Sequence, residues 1–147
     1  MSALAQTNSQ QVAQMQASRR EKLGSHDNIA AILSAHPVPI VIIGAKFDAF
    51  ANQFDTAIKK QLVMALRYVA HRNGADLVFA SVREKLPISL FRNMLLGQLF
   101  DGSGASAMDI NPVNPVSVRA GQDTIGKIDE PEGAGQRQSL SMESLWQ

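Results

Sequence analysis

Hydrophobic positions change their spacing along the chain, and each change marks a predicted element. From Val38 to Ile43 they run without alternation, broken only by Pro39, and most are β-branched. Such a run predicts a strand buried on both faces, as in a parallel sheet covered by helices. Gly44 lets the backbone turn. Lys46 and Asp48 follow at the strand's carboxyl end, where open α/β sheets place their ligands. The stretch from there to Phe54 reads as a loop. Asp55 is a good N-cap. Beyond it Ala57, Ile58, Leu62, Ala65, Leu66, Val69 and Ala70 recur at helical spacing and predict a core-facing stripe. Lys59, Lys60, Arg67 and Arg72 fall outside that stripe and read as a solvated face. Asn73-Gly74 supplies the helix stop.

Ala75 to Ala80 predicts a second short strand, followed by the loop Ser81-Val82-Arg83-Glu84. A second helix then carries Pro87 in its first turn and a stripe of Ile88, Phe91, Met94, Leu95 and Leu99. Strand, helix and strand in this order make a right-handed parallel unit. Residues 101–114 read as a loop, Pro115 to Arg119 as a third short strand, and Gly121 to Gly135 as loop or disorder. Upstream, residues 1–24 hold good helix formers but a thin apolar stripe of Leu4, Val12, Met15 and Leu23. They predict a solvent-exposed helix or loose arm ended by Gly24. Ile29, Ile32 and Leu33 predict a short helix capped by Asp27. The last residues, Ser139 to Gln147, resemble the start of a helix, with Trp146 placed to dock on a core or a partner. The chain thus divides into an arm (1–36), an α/β domain (37–119) and a C-terminal loop with the start of a helix (120–147).

Composition narrows the classes. The 147 residues suffice for one domain with a core, and the 45% of apolar residues concentrate between Val38 and Phe100. A net charge of +1 argues against an extended nucleic-acid or membrane patch. With no cysteine there are no disulfides or thiolate metal sites, which fits a reducing compartment. No apolar run approaches a membrane span, and the first residues lack the pattern of a secretory signal, so the expected location is cytosolic. His26, His36 and His71 are scattered in sequence and read as structural. His71 is expected near a helix C-terminus, where a positive charge is favourable. Asp109, Asp123 and Asp129 lie in predicted loops without a catalytic partner in view, so no catalytic residue, metal site or cofactor is expected.

One constellation carries candidate chemistry. A carboxylate such as Asp48 at the end of a buried strand can accept from both the ring N–H and the amino group of guanine, a donor pair that adenine lacks. The stem of Lys46 can cover the base, and the loop at Ser81 can offer backbone N–H groups to the guanine carbonyl. The phosphate half is missing. Gly97 to Ser103 has the glycine spacing of a phosphate loop but no lysine, and it follows a helix. Asp101-Gly102-Ser103-Gly104 imitates an Asp-x-x-Gly motif in the wrong order. Hydrolysis of a nucleotide is therefore not expected.

Three segments together resemble a known family. They are Pro39 to Phe50, then Leu66-Arg67-Tyr68-Val69-Ala70-His71, then Gly74 to Ser81. They are similar to the later half of the light intermediate chains of cytoplasmic dynein 2. The likeness continues through Ala120 to Ile128 and the closing Met142-Glu143-Ser144-Leu145-Trp146, roughly Val38 to Gln147 in all. Arg67 to His71 and the loop beyond Ala120 are more family-specific than Lys-x-Asp. The resemblance implies a partial Ras-like (P-loop NTPase-like) α/β domain, a parallel sheet flanked by helices, whose front half has no counterpart here. It implies a non-catalytic subunit that binds the dynein 2 heavy chain and other dynein 2 subunits for retrograde intraflagellar transport and cilium assembly. The expected places are cytoplasm, cytoskeleton, cilium and basal body. Ala45, Lys46, Asp48 and Ser81 then become a vestigial nucleotide site. Ala45 stands where active small GTPases carry Asn or Thr, so guanine selectivity is weakened. Met142, Leu145 and Trp146, with the Asp55–Arg72 helix, become the expected partner surface. The alternative is a GTP-binding module without hydrolysis. A sheet this small leaves edges and apolar faces uncovered, so the isolated chain is expected to be poorly soluble or molten unless partnered.

Overall fold

The structure is a computed structural model that describes residues 3–24, 26–99 and 107–129. Its helices are α1 (Ala3–Leu23), α2 (Ile29–Ala35), α3 (Phe47–Gln53), α4 (Thr56–Arg72), α5 (Lys85–Leu99) and α6 (Ile125–Asp129). Its strands are β1 (Val41–Gly44), β2 (Asp76–Phe79) and β3 (Ser117–Val118). They form one mixed sheet in the order β1-β2-β3. β1 and β2 run parallel, with Val41 opposite Asp76 and Gly44 opposite Phe79. This is the expected strand–helix–strand unit built through α4. β3 departs from the expected all-parallel sheet, since it pairs antiparallel to β2, with Leu77 opposite Val118.

β2 is the centre of the fold, buried along its whole length. Its alternate side chains serve two layers. Leu77 and Phe79 join Val63 and Ala70 of α4, with Phe47, Ala75, Val116 and Val118, in the main core. Asp76 faces the other way, toward Gln98 of α5. A smaller cluster of Leu23, Ile32 and Leu33 ties the end of α1 to α2.

Several elements differ from the sequence expectation, each for a local reason. The loop between Asp48 and Phe54 is mostly the helix α3, opened by Lys46 in a left-handed conformation (φ 58°, ψ 47°). The run from Gly121 contains α6. α2 begins after Asn28 rather than at an Asp27 cap. Asp55 caps α4 as expected, accepting from the Ile58 N–H at 2.9 Å. The buried face of α4, however, is Val63, Arg67, Ala70 and His71, while Ile58, Leu62 and Val69 of the predicted stripe stand 43%, 39% and 38% exposed. The inward face places Val63 and Ala70 in the main core and Arg67 in a buried ion pair with Asp123. The described part of the second helix keeps Met94 fully buried, whereas Ile88 of its stripe is exposed.

β1 is not buried on both faces. It is an outer strand, with Ile43 exposed and Val38 just before it also exposed. The bonds Asp76 N–H to Ile40 O and Ala80 N–H to Gly44 O fix which residues face β2. In a parallel ladder the intervening Val41 and Ile43 then point their main-chain groups at the open edge. No described strand pairs there. Beside it lies a cleft of about 490 Å³, walled by α1 (Met15, Arg19, Lys22), Pro39, Val41 and Gln98. An open apolar edge promotes self-association. Ile43→Lys is expected to raise the soluble, monomeric fraction in size-exclusion chromatography. An unchanged elution profile would show that the edge is not what drives association.

Candidate functional site

The residues expected at the strand ends do converge. Phe47 is buried, and its N–H bonds Ala80 O at 3.0 Å, tying the start of α3 to the end of β2. That tie holds Lys46 in its left-handed conformation, which costs a non-glycine residue about 1–2 kcal/mol. Phe47, Phe50 and Phe79 fill the space beneath, Phe50 edge-on to Phe79 with ring centroids 5.1 Å apart. Asp48 emerges one residue later. Its Oδ1 accepts from Ser81 Oγ–H at 2.9 Å, and its Oδ2 lies 3.5 Å from Arg83 Nη1. Ser81 is buried and also accepts the Arg83 N–H at 3.2 Å. Lys46 and Ala45 are exposed beside it.

This arrangement brings Lys46, Asp48 and Ser81 to one corner at the ends of β1 and β2. The Asp48 carboxylate is engaged from within the chain by Ser81 and Arg83. Arg83 is largely exposed, so its pair with Asp48 contributes little. Ala45 brings no amide or hydroxyl to hold the corner. Among the described residues no group of three or more His, Asp or Glu side chains could hold a metal ion. No described helix is long and apolar enough to cross a membrane. Met142, Leu145 and Trp146 lie outside the described residues.

A second cluster was not expected from sequence. Arg67 of α4 donates Nε–H to Asp123 Oδ2 and Nη2–H to Asp123 Oδ1, both at 2.8 Å, with both residues buried. Its Nη2 also reaches Lys127 O of α6 at 3.3 Å. Asp123 Oδ1 accepts the Thr124 N–H at 3.0 Å. Arg67 is therefore not part of a solvated face, and Asp123 is not a free loop carboxylate. Pattern reading could not join residues 56 positions apart. The one usable signal was that their two segments are the most family-specific in the chain. A related lock sits on β2. Buried Asp76 accepts from the Ala120 N–H at 2.7 Å and from Gln98 Nε2–H. Burial pushes the nearby Arg19 guanidinium down from its ordinary pKa, and the Asp76 carboxylate opposes that shift.

His26 and His71 are far apart in sequence but stack with ring centroids 4.1 Å apart. His26 Nδ1 accepts the Asn28 N–H at 3.1 Å, so its proton sits on Nε2, which donates to His71 O at 2.9 Å. His71 Nδ1 is buried without a hydrogen-bond partner. Burial first, then His26 and Arg72, push the His71 pKa down, against the upward pull of Asp123 and Asp27. The expected benefit of positive charge at the helix end is thus overturned by desolvation. The sign follows from linkage: the unfolded chain binds the proton more readily than the folded one. The contribution is present above about pH 6.5, the ordinary histidine value, and is lost as pH falls below it. Urea midpoints are expected to drop between pH 7.5 and 5.5, and His71→Gln to flatten that drop. A midpoint rising on acidification would contradict the assignment.

No family model matches the chain. It is similar to curated proteins that share one name, cytoplasmic dynein 2 light intermediate chain 1. The zebrafish protein (Danio rerio) is 32% identical over 100 residues, 68% of this chain and 28% of the relative. The Rattus norvegicus protein is 32% identical over 119 residues, 78% of this chain and 33% of the relative. The human protein is 30% identical over 128 residues, 87% of this chain and 36% of the relative. The expected resemblance is thus borne out across most of the chain. The chain belongs to the family of the cytoplasmic dynein 2 light intermediate chains and spans about a third of the length of the curated relatives it matches.

Proposed function

We propose that this chain is a non-catalytic docking part of the cytoplasmic dynein 2 motor, binding and stabilising its heavy chain for retrograde intraflagellar transport and cilium assembly. The observation that carries the reading is the likeness to dynein 2 light intermediate chains over as much as 87% of the chain. In this reading the sheet is the later part of a Ras-like domain, and the open edge of β1 is where such a sheet continues. The partners are the heavy chain and other dynein 2 subunits, and neither nucleic acid nor membrane. The places are cytoplasm and cytoskeleton, with cilium and basal body. Residues 120–147, including Met142, Leu145 and Trp146, take part in the docking. Affinity capture with the tagged chain in ciliated cells is expected to recover dynein 2 heavy chain. Recovery of neither heavy chain nor intraflagellar transport components would sink the proposal.

The second reading, a GTP-binding module without hydrolysis, is favoured by the convergence of Lys46, Asp48 and Ser81. Against it stand the engaged carboxylate of Asp48 and the alanine at position 45. Ligand at about ten times its Kd stabilises a protein by about 1.4 kcal/mol. On the docking reading GTP leaves the unfolding midpoint unchanged. A saturable rise with GTP but not ATP would favour the second reading instead.

A further inference from the structure

The open edge of β1 and the cleft beside it form one feature. The ladder to β2 uses main-chain groups of Ile40 and Gly44, so those of Val41 and Ile43 face outward, and among the described residues no strand pairs with them. The other side of the sheet differs, since Asp109 bridges to Ser117 of β3. Val41 and Pro39 form one wall of the cleft, Met15, Arg19 and Lys22 of α1 another, and Gln98 of α5 a third. A row of N–H and C=O groups along a strand edge recognises an extended backbone. A helix spends its own main-chain groups internally and does not match it. Val41 lies opposite Asp76 in the register, on the side of the sheet where Asp76 meets Gln98. A strand added about 4.8 Å beyond β1 places one of its residues beside Val41 on that same side, in the cleft.

Charge decides what that residue carries. The charged residues that wall the cleft, Arg19 and Lys22, are both cations. Lys22 Nζ donates to the neutral Gly97 O at 3.1 Å. Arg19 is only 4% exposed, its Nη2 reaches Gly74 O at 3.5 Å, and its Nη1 is buried without a hydrogen-bond partner. Asp76 attracts Arg19 but gives its oxygens to the Ala120 N–H and to Gln98 Nε2–H. A buried charge is ordinarily paired and hydrogen-bonded, and here the bonded carboxylate is not supplied by the described residues. A second copy of β1 does not supply it either, because residues 38–46 contain no acid.

We propose that the cleft between α1 and the edge of β1 takes an extended segment of a second polypeptide, which pairs with Val41 and Ile43 as an added strand and brings a glutamate side chain to Arg19. Main-chain bonds supply the affinity, and the buried cation supplies the selectivity. Glutamate suits the site better than aspartate because its longer stem reaches across the cleft.

The test uses the full chain and a short fluorescent Thr/Val peptide with one central Glu as probe, read by anisotropy, with amide hydrogen exchange to locate the contact. The Glu peptide is expected to bind and to slow exchange at Val41 and Ile43. The same peptide with Gln in place of Glu is expected to bind about tenfold more weakly. Arg19→Gln is expected to erase that preference, and Arg19→Lys, which keeps the charge without the planar fork, to retain part of it. Equal binding of the two peptides by the unaltered chain overturns the pairing with Arg19. A preference that Arg19→Gln leaves intact overturns it as well. Arg19-dependent binding that leaves exchange at Val41 and Ile43 unchanged, or that free glutamate competes away fully, shows a small-anion site and overturns the added strand. No binding of either peptide up to about 1 mM overturns the proposal as a whole, since a site that combines an open edge with a buried cation must reach at least that affinity.

Discussion

Arg67→Ala is expected to destabilise the chain by about 3–5 kcal/mol, because it leaves the buried Asp123 carboxylate without its countercharge. Against a typical domain stability of about 5–15 kcal/mol, that is a large share of the whole. The geometry explains the size. Two parallel N–H···O bonds of 2.8 Å join the pair, and the side chains of Arg67 and Asp123 are only 5% and 4% exposed, so water cannot replace the lost partner. Arg67→Lys keeps the charge but not the planar fork, and should cost less than alanine while still failing to restore the native state. Amide hydrogen exchange should localise the damage. The pair holds the chain ahead of α6, and Arg67 also caps Lys127 O, so residues 123–129 should lose protection first. A cost below about 1 kcal/mol in urea denaturation would mean that the pair is solvated rather than buried.

Gly121→Ala is expected to be the next most damaging change, at about 2–4 kcal/mol. Gly121 has φ +83°, and a Cβ there would lie 2.6 Å from Lys22 O and 2.7 Å from Leu23 O. Both are backbone atoms at the end of α1, so the clash cannot be relieved by a rotamer. α1 must move, and Leu23, fully buried against Ile32 and Leu33, must leave its cluster. Two other glycines separate the causes. Gly24 has φ +57° but open space around it, so Gly24→Ala carries backbone strain alone, about 1 kcal/mol. Gly126 lies inside α6 with nothing within 4 Å, so Gly126→Ala should stabilise by about 0.5–1 kcal/mol. Thermal or urea midpoints of the three variants should rank in that order. Equal effects at Gly121 and Gly24 would show that α1 does not rest on Gly121.

The local features of the chain were legible where one segment carries the whole cause. Asp55 as a cap, Asn73-Gly74 as a stop and the apolar β2 each follow from neighbouring residues alone. Asp48 and Ser81 were also legible, since strand ends in a parallel unit necessarily lie side by side. The failures share a different cause. α3 was hidden because Lys46 opens it from a left-handed conformation that no local pattern announces, and Phe47 makes that tenable only by reaching Ala80. The α4 face was misjudged because its apolar stripe satisfies every rule for a core stripe. The side that turns inward carries Arg67, whose partner Asp123 lies 56 residues later. β1 has the composition of a strand buried on both faces, and that composition is why its open edge invites another strand. The helix dipole favours a charged His71, but burial and then His26, which only the fold brings near, oppose it.

The proposed function is docking to the dynein 2 heavy chain without action on a nucleotide. Co-expression with the heavy-chain tail, followed by purification on the tail's tag in buffer without nucleotide, tests it most directly. The chain is expected to be poorly soluble alone, to become soluble and co-elute with the tail in a fixed ratio, and to show no change when GTP is added. A tail that elutes without the chain, or a complex that forms only when GTP is added, would contradict it.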